Sequence, residues 1–199
     1  MNDTNNSRPR GRPRRFDPGQ GVATAQHLFH ARGYDAVGVA EITSALGINP
    51  PSFYAAFGSK AGLYARVLER YATTDAIPLE DLLRPDRPLA ESLAAVLEEA
   101  ARRYVARPPA AGCLVLEGIG CDDEEARRIA AAYHRAALDR IRHSIAAVHP
   151  DTAQRLTDFV SVTMAGLSAE ARNGIGLDRL LETARVAGRA VARELAAAG

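Results

Sequence analysis

The chain has 199 residues, 47% of them apolar, and a formal net charge of +1, a composition typical of a globular protein with a sizeable core. No run of roughly 20 apolar residues could span a bilayer, and two cysteines are too few for a disulfide framework, so we expect a cytoplasmic protein without a membrane partner. Alanine is abundant, aromatic residues make up 6%, and no alternating β-branched stretch occurs, which predicts an all-α fold.

The N-terminal segment concentrates the positive charge. Residues 1–15 carry a formal charge of +4, so residues 16–199 together carry −3. Beyond Met1 the segment has no large apolar residue, which predicts a disordered basic arm. A solvated tail is one interpretation of such a run. The other is that Gly11-Arg12-Pro13 and its flanks resemble an AT-hook, which binds the narrow minor groove of A·T-rich DNA through, in this chain, Arg10, Arg12, Arg14 and Arg15.

Four helices are predicted within residues 16–76. Asp17 is a candidate cap for the first helix, and Gly33 ends it. The second helix ends at Gly47, and the third and fourth begin behind Asn49 and Ser59. Two short helices joined by a tight turn that contains glycine, packed on a longer helix, are what a helix-turn-helix unit requires.

Five further helices are predicted in a larger domain that covers residues 77–199. Their breaks coincide with prolines or glycines, and the last two helices cover roughly 151–173 and 177–197. Apolar stripes along these two helices suit a helix-pair interface between subunits. The candidate dimer contacts are Leu156, Phe159, Val160, Thr163, Leu167, Leu180, Leu181, Ala184 and Val191.

A series of short motifs runs in order through residues 16–75. They are Phe29-(three residues)-Gly33-Tyr34, Val39-Ala-Glu-Ile42, Ala45-Leu-Gly47-Ile48, Phe53-Tyr54, and Phe57-Gly-Ser-Lys60-Ala-Gly-Leu63-Tyr64. In residue type and order they resemble the DNA-binding domain of the tetracycline-repressor (TetR) family of bacterial transcription regulators. The resemblance implies a one-component regulator, expected to be a repressor, that binds palindromic double-stranded operator DNA as a homodimer. A small-molecule effector would release it, and no cofactor is expected.

The resemblance also implies which residues contact DNA. The hydroxyl of Tyr54 and the ammonium of Lys60, the only lysine in the chain, are expected to bind phosphates. Register and limited base readout are expected from Thr43, Ser44, Asn49, Pro50 and Ser52.

Three features depart from the usual pattern of the family. Val37-Gly38 replaces a pair of hydroxyl residues, while Pro50-Pro51 and Ala55-Ala56 reduce the hydrogen-bonding capacity of the third helix. Residues 16–75 hold four cations against five anions, so this module lacks a strong positive surface. We therefore expect the basic arm to supply much of the affinity for DNA.

The larger domain is expected to bind the effector. Candidate ligand contacts are Tyr104, Cys113, Tyr133 and Met164, each of which would serve equally well as a core residue. Cys113 lies in an apolar run, where a cysteine is more often a packing residue than a sensor, and Cys121 precedes an acidic run that would raise its pKa. A thiol-based redox sensor that uses Cys113 is a minor alternative.

Other function classes find less support. The sequence has no serine-centred nucleophile elbow, phosphate-binding glycine loop or paired-cysteine motif, and its histidines are not spaced as metal ligands, so we expect neither an enzyme nor a metal site. Two further alternatives stay open. One is a helical dimeric ligand-binding or interaction protein that has lost operator specificity, and the other is an A·T-rich architectural DNA binder driven by the arm.

Overall fold

The computed structural model describes residues 16–197. Across this range the backbone forms ten α-helices and no strand, which confirms the all-α prediction. Their bounds are α1 Pro18–Arg32, α2 Val39–Leu46, α3 Pro50–Phe57, α4 Lys60–Thr74, α5 Leu79–Leu82, α6 Leu89–Val105, α7 Leu114–Gly118, α8 Glu124–Ala146, α9 Ala153–Arg172 and α10 Leu177–Ala197. A single 3₁₀ turn, Pro150–Thr152, precedes α9.

Side-chain caps determine where the N-terminal helices begin. Asp17, Asn49 and Ser59 each accept a hydrogen bond from a backbone N–H two or three residues later, at 2.8–2.9 Å, which pairs donors that the first turn of a helix leaves free. Gly47 adopts a left-handed conformation with φ of 64° and ends α2, as the sequence predicted. These local features hold α2 and α3 in a helix-turn-helix arrangement.

Two clusters of buried apolar residues organise the chain. The first surrounds Phe29, Phe53 and Tyr64 and joins α1 to α4 with α7 and the start of α8. The second lies between α6, α8, α9 and α10, around residues such as Leu97 and Val160. Cys113, which precedes α7, packs against both clusters. The division of the chain at residue 76 stays a prediction, and α4 ends two residues before it.

Two short elements in the larger domain differ from the prediction. The sequence did not predict α5, because four residues are too few to show a helical period. The short apolar element predicted from Cys113 is the five-residue α7, with Cys113 at its N-cap position. Among residues 16–197 no helix combines the length and the apolar character that crossing a bilayer needs.

Candidate DNA-binding surface, ligand cavity and subunit interface

Helix α3 presents small and polar residues to solvent. Phe53 and Phe57 are buried in the module core, whereas Tyr54 is 51% exposed. Pro50 and Ser52 also occupy exposed positions. The ring of Tyr54 is held edge-on against Phe53, with 5.2 Å between the ring centroids. The exposed face therefore offers hydroxyl groups, which suit phosphate contact, beside apolar groups, which suit thymine methyl contact.

Helix α2 exposes only one of its two predicted contact residues. Ser44 is exposed, but Thr43 is buried and its hydroxyl donates to the carbonyl oxygen of Ala40 at 2.9 Å. The prediction of a DNA contact by Thr43 is therefore corrected, because the helical register turns this residue toward the core with Ile42. Asn49 is exposed, but its side chain is engaged in capping α3.

The Val37-Gly38 departure has a structural basis in part. Val37 is fully buried in the module core, where a hydroxyl residue would leave a polar group without water. Gly38 stands at the N-cap of α2 and provides no side-chain cap. A β-carbon added at Gly38 would meet no atom within 4 Å, so the site has room for the missing hydroxyl side chain.

The ammonium of Lys60 lies against the module's own core. It stands over the ring of Tyr34, 3.9 Å from the centroid, and the hydroxyl of Tyr34 donates to the carboxylate of Asp123 at 3.1 Å. Partial burial lowers the pKa of Lys60, an effect that the charges of Asp35 and Asp123 oppose. A phosphate contact by Lys60 stays a prediction, and it requires the side chain to leave this position.

The charges of the module are partly used within the fold. Arg32 forms an ion pair with Glu41, and Asp75 forms one with Arg107 at 2.6 Å. The first pair engages one of the four cations of the module, whereas in the second the module contributes the anion. The predicted contacts in the basic arm lie outside the described residues, namely Arg10, Arg12, Arg14 and Arg15.

A cavity of about 570 Å³ opens in the larger domain. All four residues that the sequence singled out as ligand contacts line it: Tyr104, Cys113, Tyr133 and Met164. Tyr71 of α4 lines it as well, which brings the helix that follows the DNA-binding module into the cavity wall. The volume falls within the range of roughly 300–1,000 Å³ that is usual for small-molecule sites.

Residues 111–114, which we call the 111–114 segment, connect the cavity to the module. The carbonyl of Gly112 accepts from Nε2 of His30 on α1 at 3.1 Å, and the carbonyl of Leu114 accepts from the hydroxyl of Tyr64 on α4 at 3.2 Å. Arg172 of α9 donates to the carbonyl oxygen of Ala111 at 3.1 Å. The segment that places Cys113 in the cavity wall is thus bonded to two helices of the module.

The surroundings of both cysteines disfavour the thiolate. Both are free thiols, and desolvation raises the pKa of Cys113. Desolvation and the carboxylates of Asp35 and Asp123 raise the pKa of Cys121. Because the thiolate is the reactive species, these environments give no support to the redox-sensor alternative.

Most residues predicted at the dimer interface serve the subunit's own core. Six of the nine are at most 2% exposed: Leu156, Val160, Leu167, Leu180, Ala184 and Val191. They are corrected here, since they pack against α6 and each other and cannot also contact a partner. Of the other three, Phe159 is exposed and Thr163 and Leu181 are partly exposed.

The outward face of α9 and α10 carries other apolar side chains. Val162 is 73% exposed and Val186 is 53% exposed. Gly166 lies four residues after Val162 on α9, and a β-carbon added to it would meet nothing within 4 Å. This face leaves apolar area uncovered next to a position where another backbone could approach closely.

Comparison with known proteins identifies the family. The model of bacterial regulatory proteins of the tetR family matches residues 22–67. The chain is 57% identical over 185 residues to the HTH-type transcriptional repressor BdcR of Escherichia coli (strain K12), covering 93% of this chain and 94% of the relative. The chain belongs to the TetR family. Its relatives are transcriptional regulators, which confirms the prediction that it is not an enzyme.

Other TetR-family proteins match along most of the chain. The HTH-type transcriptional repressor ComR of Escherichia coli (strain K12) is 27% identical over 186 residues, covering 88% of this chain and 89% of the relative. Among solved structures, the regulator CifR, a cysteine mutant complexed with 26-base-pair operator DNA, superposes with a TM-score of 0.79. It is 32% identical and covers 90% of this chain and 99% of that chain.

Sequence reasoning missed several functional candidates in this TetR-family chain. The sequence predicted no role for His30, although its position one residue after Phe29 on the buried side of α1 indicates a core role. Arg172 gave no local signal, since its partners lie far away along the chain. Val162 and Val186 are the apolar residues that interrupt the polar faces of α9 and α10, and that signal was available.

Proposed function

We propose that this TetR-family protein is a transcriptional repressor that binds a palindromic operator as a homodimer and is released by a small-molecule effector. The observation that carries this proposal is the capped helix α3, which exposes Tyr54, Ser52 and Pro50 while Phe53 and Phe57 anchor it. The 57% identity to a repressor and the likeness to a regulator solved on operator DNA support it.

The DNA contacts follow from the exposed surface. Helix α3 enters the major groove, where the hydroxyls of Ser52 and Tyr54 bind phosphates and the ring of Pro50 contacts base edges. Ser44 and Asn49 lie at the rim of the same surface. Lys60 joins them once its ammonium exchanges the ring of Tyr34 for a phosphate. The basic arm binds the adjacent minor groove through Arg10, Arg12, Arg14 and Arg15.

The dimer forms through the outward face of α9 and α10. Covering Phe159, Val162 and Val186 removes three apolar side chains from water, and Gly166 allows two copies of α9 to approach closely. Thr163 and Leu181 lie at the partly exposed margin of this face. A two-fold axis then places two copies of α3 about 34–36 Å apart, the spacing of consecutive major-groove faces.

The effector acts through the cavity. A ligand that contacts Tyr104, Cys113, Tyr133 and Met164 reaches the 111–114 segment, which is bonded to His30 and Tyr64 of the module. The ligand releases DNA only to the extent that it binds the non-operator conformation more tightly than the operator-bound one.

Footprinting on the protein's own upstream DNA, together with sedimentation of the free protein, tests this function. We expect a protected palindrome and a dimer, with protection abolished by Tyr54→Ala. Ala132→Arg, an exposed change on α8 away from these surfaces, is the control. Diffuse A·T-rich protection would favour the architectural alternative, and a dimer without protection would favour the interaction protein.

A further inference from the structure

The inner wall of the cavity contains a hydroxyl group without a partner. Tyr104 is 1% exposed, and its phenolic oxygen makes no hydrogen bond. The thiol of Cys113 lies near this hydroxyl but does not pair with it in normal hydrogen-bond geometry. A buried polar group that stays unpaired costs free energy, and this cost is recovered when a bound molecule provides the partner.

The phenol of Tyr104 keeps its proton and can donate a hydrogen bond. Burial raises the pKa of Tyr104 well above its usual value, so the phenol keeps its proton throughout the physiological range. Tyr71, which lines the same cavity, is also kept protonated by burial. The O–H of Tyr104 therefore has a proton to donate, and an acceptor atom such as a carbonyl or ether oxygen would pair with it.

Of the charged groups that line the cavity, Asp81 is exposed to solvent, and Glu80 and Arg140 are paired with each other. Glu80 and Arg140 form an ion pair at 2.9 Å, and their side chains are 77% and 57% exposed. Burial and the neighbouring Arg135 lower the pKa of His134, which favours its neutral form. An ionic ligand would lose its hydration in the inner cavity without gaining a charged partner.

We propose that the effector is a neutral, mainly apolar molecule with a hydrogen-bond acceptor that pairs with the hydroxyl of Tyr104. This proposal rests on the proposed function for the cavity as the effector site. Its apolar walls include Ile141 and Met164, and the flexible thioether of Met164 adapts to the shape of the ligand.

The position of Tyr104 also explains how such a ligand is sensed. In this structure the hydroxyl is buried with Cys113 near it, and both residues line the cavity, so a ligand that pairs with Tyr104 also meets Cys113. Cys113 is held by its N–H, which donates to the hydroxyl of Ser168 at 2.9 Å. The backbone of Gly112 is bonded both to the carbonyl of Tyr104 at 2.8 Å and to His30. Ligand entry therefore strains the segment that holds α1.

Calorimetry with three probes of similar size tests the proposal on the DNA-free protein. Benzophenone carries the acceptor, diphenylmethane replaces its carbonyl with a methylene, and diphenylacetate carries a negative charge. We expect benzophenone to bind roughly tenfold more tightly than diphenylmethane, the factor that one recovered hydrogen bond provides, and diphenylacetate to bind most weakly. Equal affinity for the first two probes, tighter binding of the anion, or no binding of any probe would overturn the proposal.

Two tyrosine variants locate the effect. Tyr104→Phe keeps the ring and removes the hydroxyl, so benzophenone and diphenylmethane should bind this variant with about equal affinity. Tyr34→Phe makes the same change at a buried tyrosine outside the cavity and should retain the preference. A preference that survives in Tyr104→Phe would overturn the assignment, and circular dichroism of both variants checks their folding. Footprinting of the operator is a separate measurement, so a failed probe series leaves the repressor function standing.

Discussion

A close approach between three helices makes Gly118 a sensitive point of the fold. A β-carbon at this position would collide with the hydroxyl of Tyr64 and would lie 2.8 Å from the β-carbon of Ala130. The backbone of α7 therefore packs directly on α4 and α8. We expect Gly118→Ala to destabilise the protein although alanine is normally the better helix residue by about 1 kcal/mol.

The size of the effect follows from the two contacts. Overpacking a dense core by one methyl group costs about 1–3 kcal/mol. Displacing the Tyr64 hydroxyl also breaks its bond to the carbonyl of Leu114, a loss of about 1 kcal/mol. After the advantage of alanine in a helix, about 1 kcal/mol, is subtracted, we expect Gly118→Ala to lower the free energy of unfolding by about 1–3 kcal/mol. The measurement is urea denaturation at one fixed protein concentration, because the proposed dimer would contribute to stability.

A double-mutant cycle with Tyr64→Phe separates the two contacts. The phenylalanine has no hydroxyl to collide, and Tyr64→Phe has already lost the bond to Leu114, so adding Gly118→Ala should cost at least about 1 kcal/mol less than it does in the wild type. The strain against Ala130 remains in both backgrounds. Strict additivity of the two changes would refute the reasoning, since it would mean that the Tyr64 hydroxyl does not limit the space at Gly118.

Four further predictions concern the arm, the module, the dimer and pH. Deleting residues 1–15 should weaken operator binding and flatten its salt dependence; an unchanged dissociation constant and slope in a fluorescence titration would contradict a role for the arm. Gly38→Ser should stabilise the protein by about 0.3 kcal/mol through the added cap, which thermal unfolding can detect, whereas a lower Tm would mean that α2 begins elsewhere. Gly166→Arg should convert the dimer to monomers in sedimentation experiments while Ala132→Arg does not; two dimers would place the interface on another face. Burial lowers the pKa of His30, so below a pH of about 6.5 the unfolded chain binds more protons than the folded one, and the free energy of unfolding should decrease as the pH is lowered. His30→Gln should make this decrease smaller, and an identical pH profile of the variant and the wild type would contradict the role of His30.

The sequence predicted those parts of the fold that short-range chemistry determines. Asp17, Asn49 and Ser59 cap helices with atoms two or three residues away, so their side chains alone indicate where the helices begin. Gly47 has the same local logic at a helix end. Cavity residues such as Tyr104 and Met164 were accessible to prediction because polar or flexible groups stand out within the apolar stripes of α6 and α9.

Contacts between distant segments could not be predicted in the same way. The pairing of His30 with Gly112 joins residues 82 positions apart, and neither residue carries a local sign of the other. Lys60 was expected to face DNA, but its ring partner Tyr34 becomes a neighbour only when α1 and α4 pack together. Six of the nine predicted dimer contacts lie in the subunit's own core for a different reason. The strongest apolar stripe of an amphipathic helix covers its own domain core, so the interface has to use the weaker, outward face.

The 111–114 segment has the properties that an allosteric connection requires. It contributes Cys113 to the cavity wall, and its carbonyl groups accept hydrogen bonds from His30 of α1 and Tyr64 of α4. These bonds couple a movement of the segment to the two helices. The close contact of Gly118 with Tyr64, four residues after the segment, also leaves little space for α7 to move toward α4. A ligand that displaces Cys113 must therefore either break these bonds or move both module helices with it. Since the bonds are buried and costly to break, we expect α1 and α4 to move instead, and in the proposed dimer this movement would change the separation of the two copies of α3.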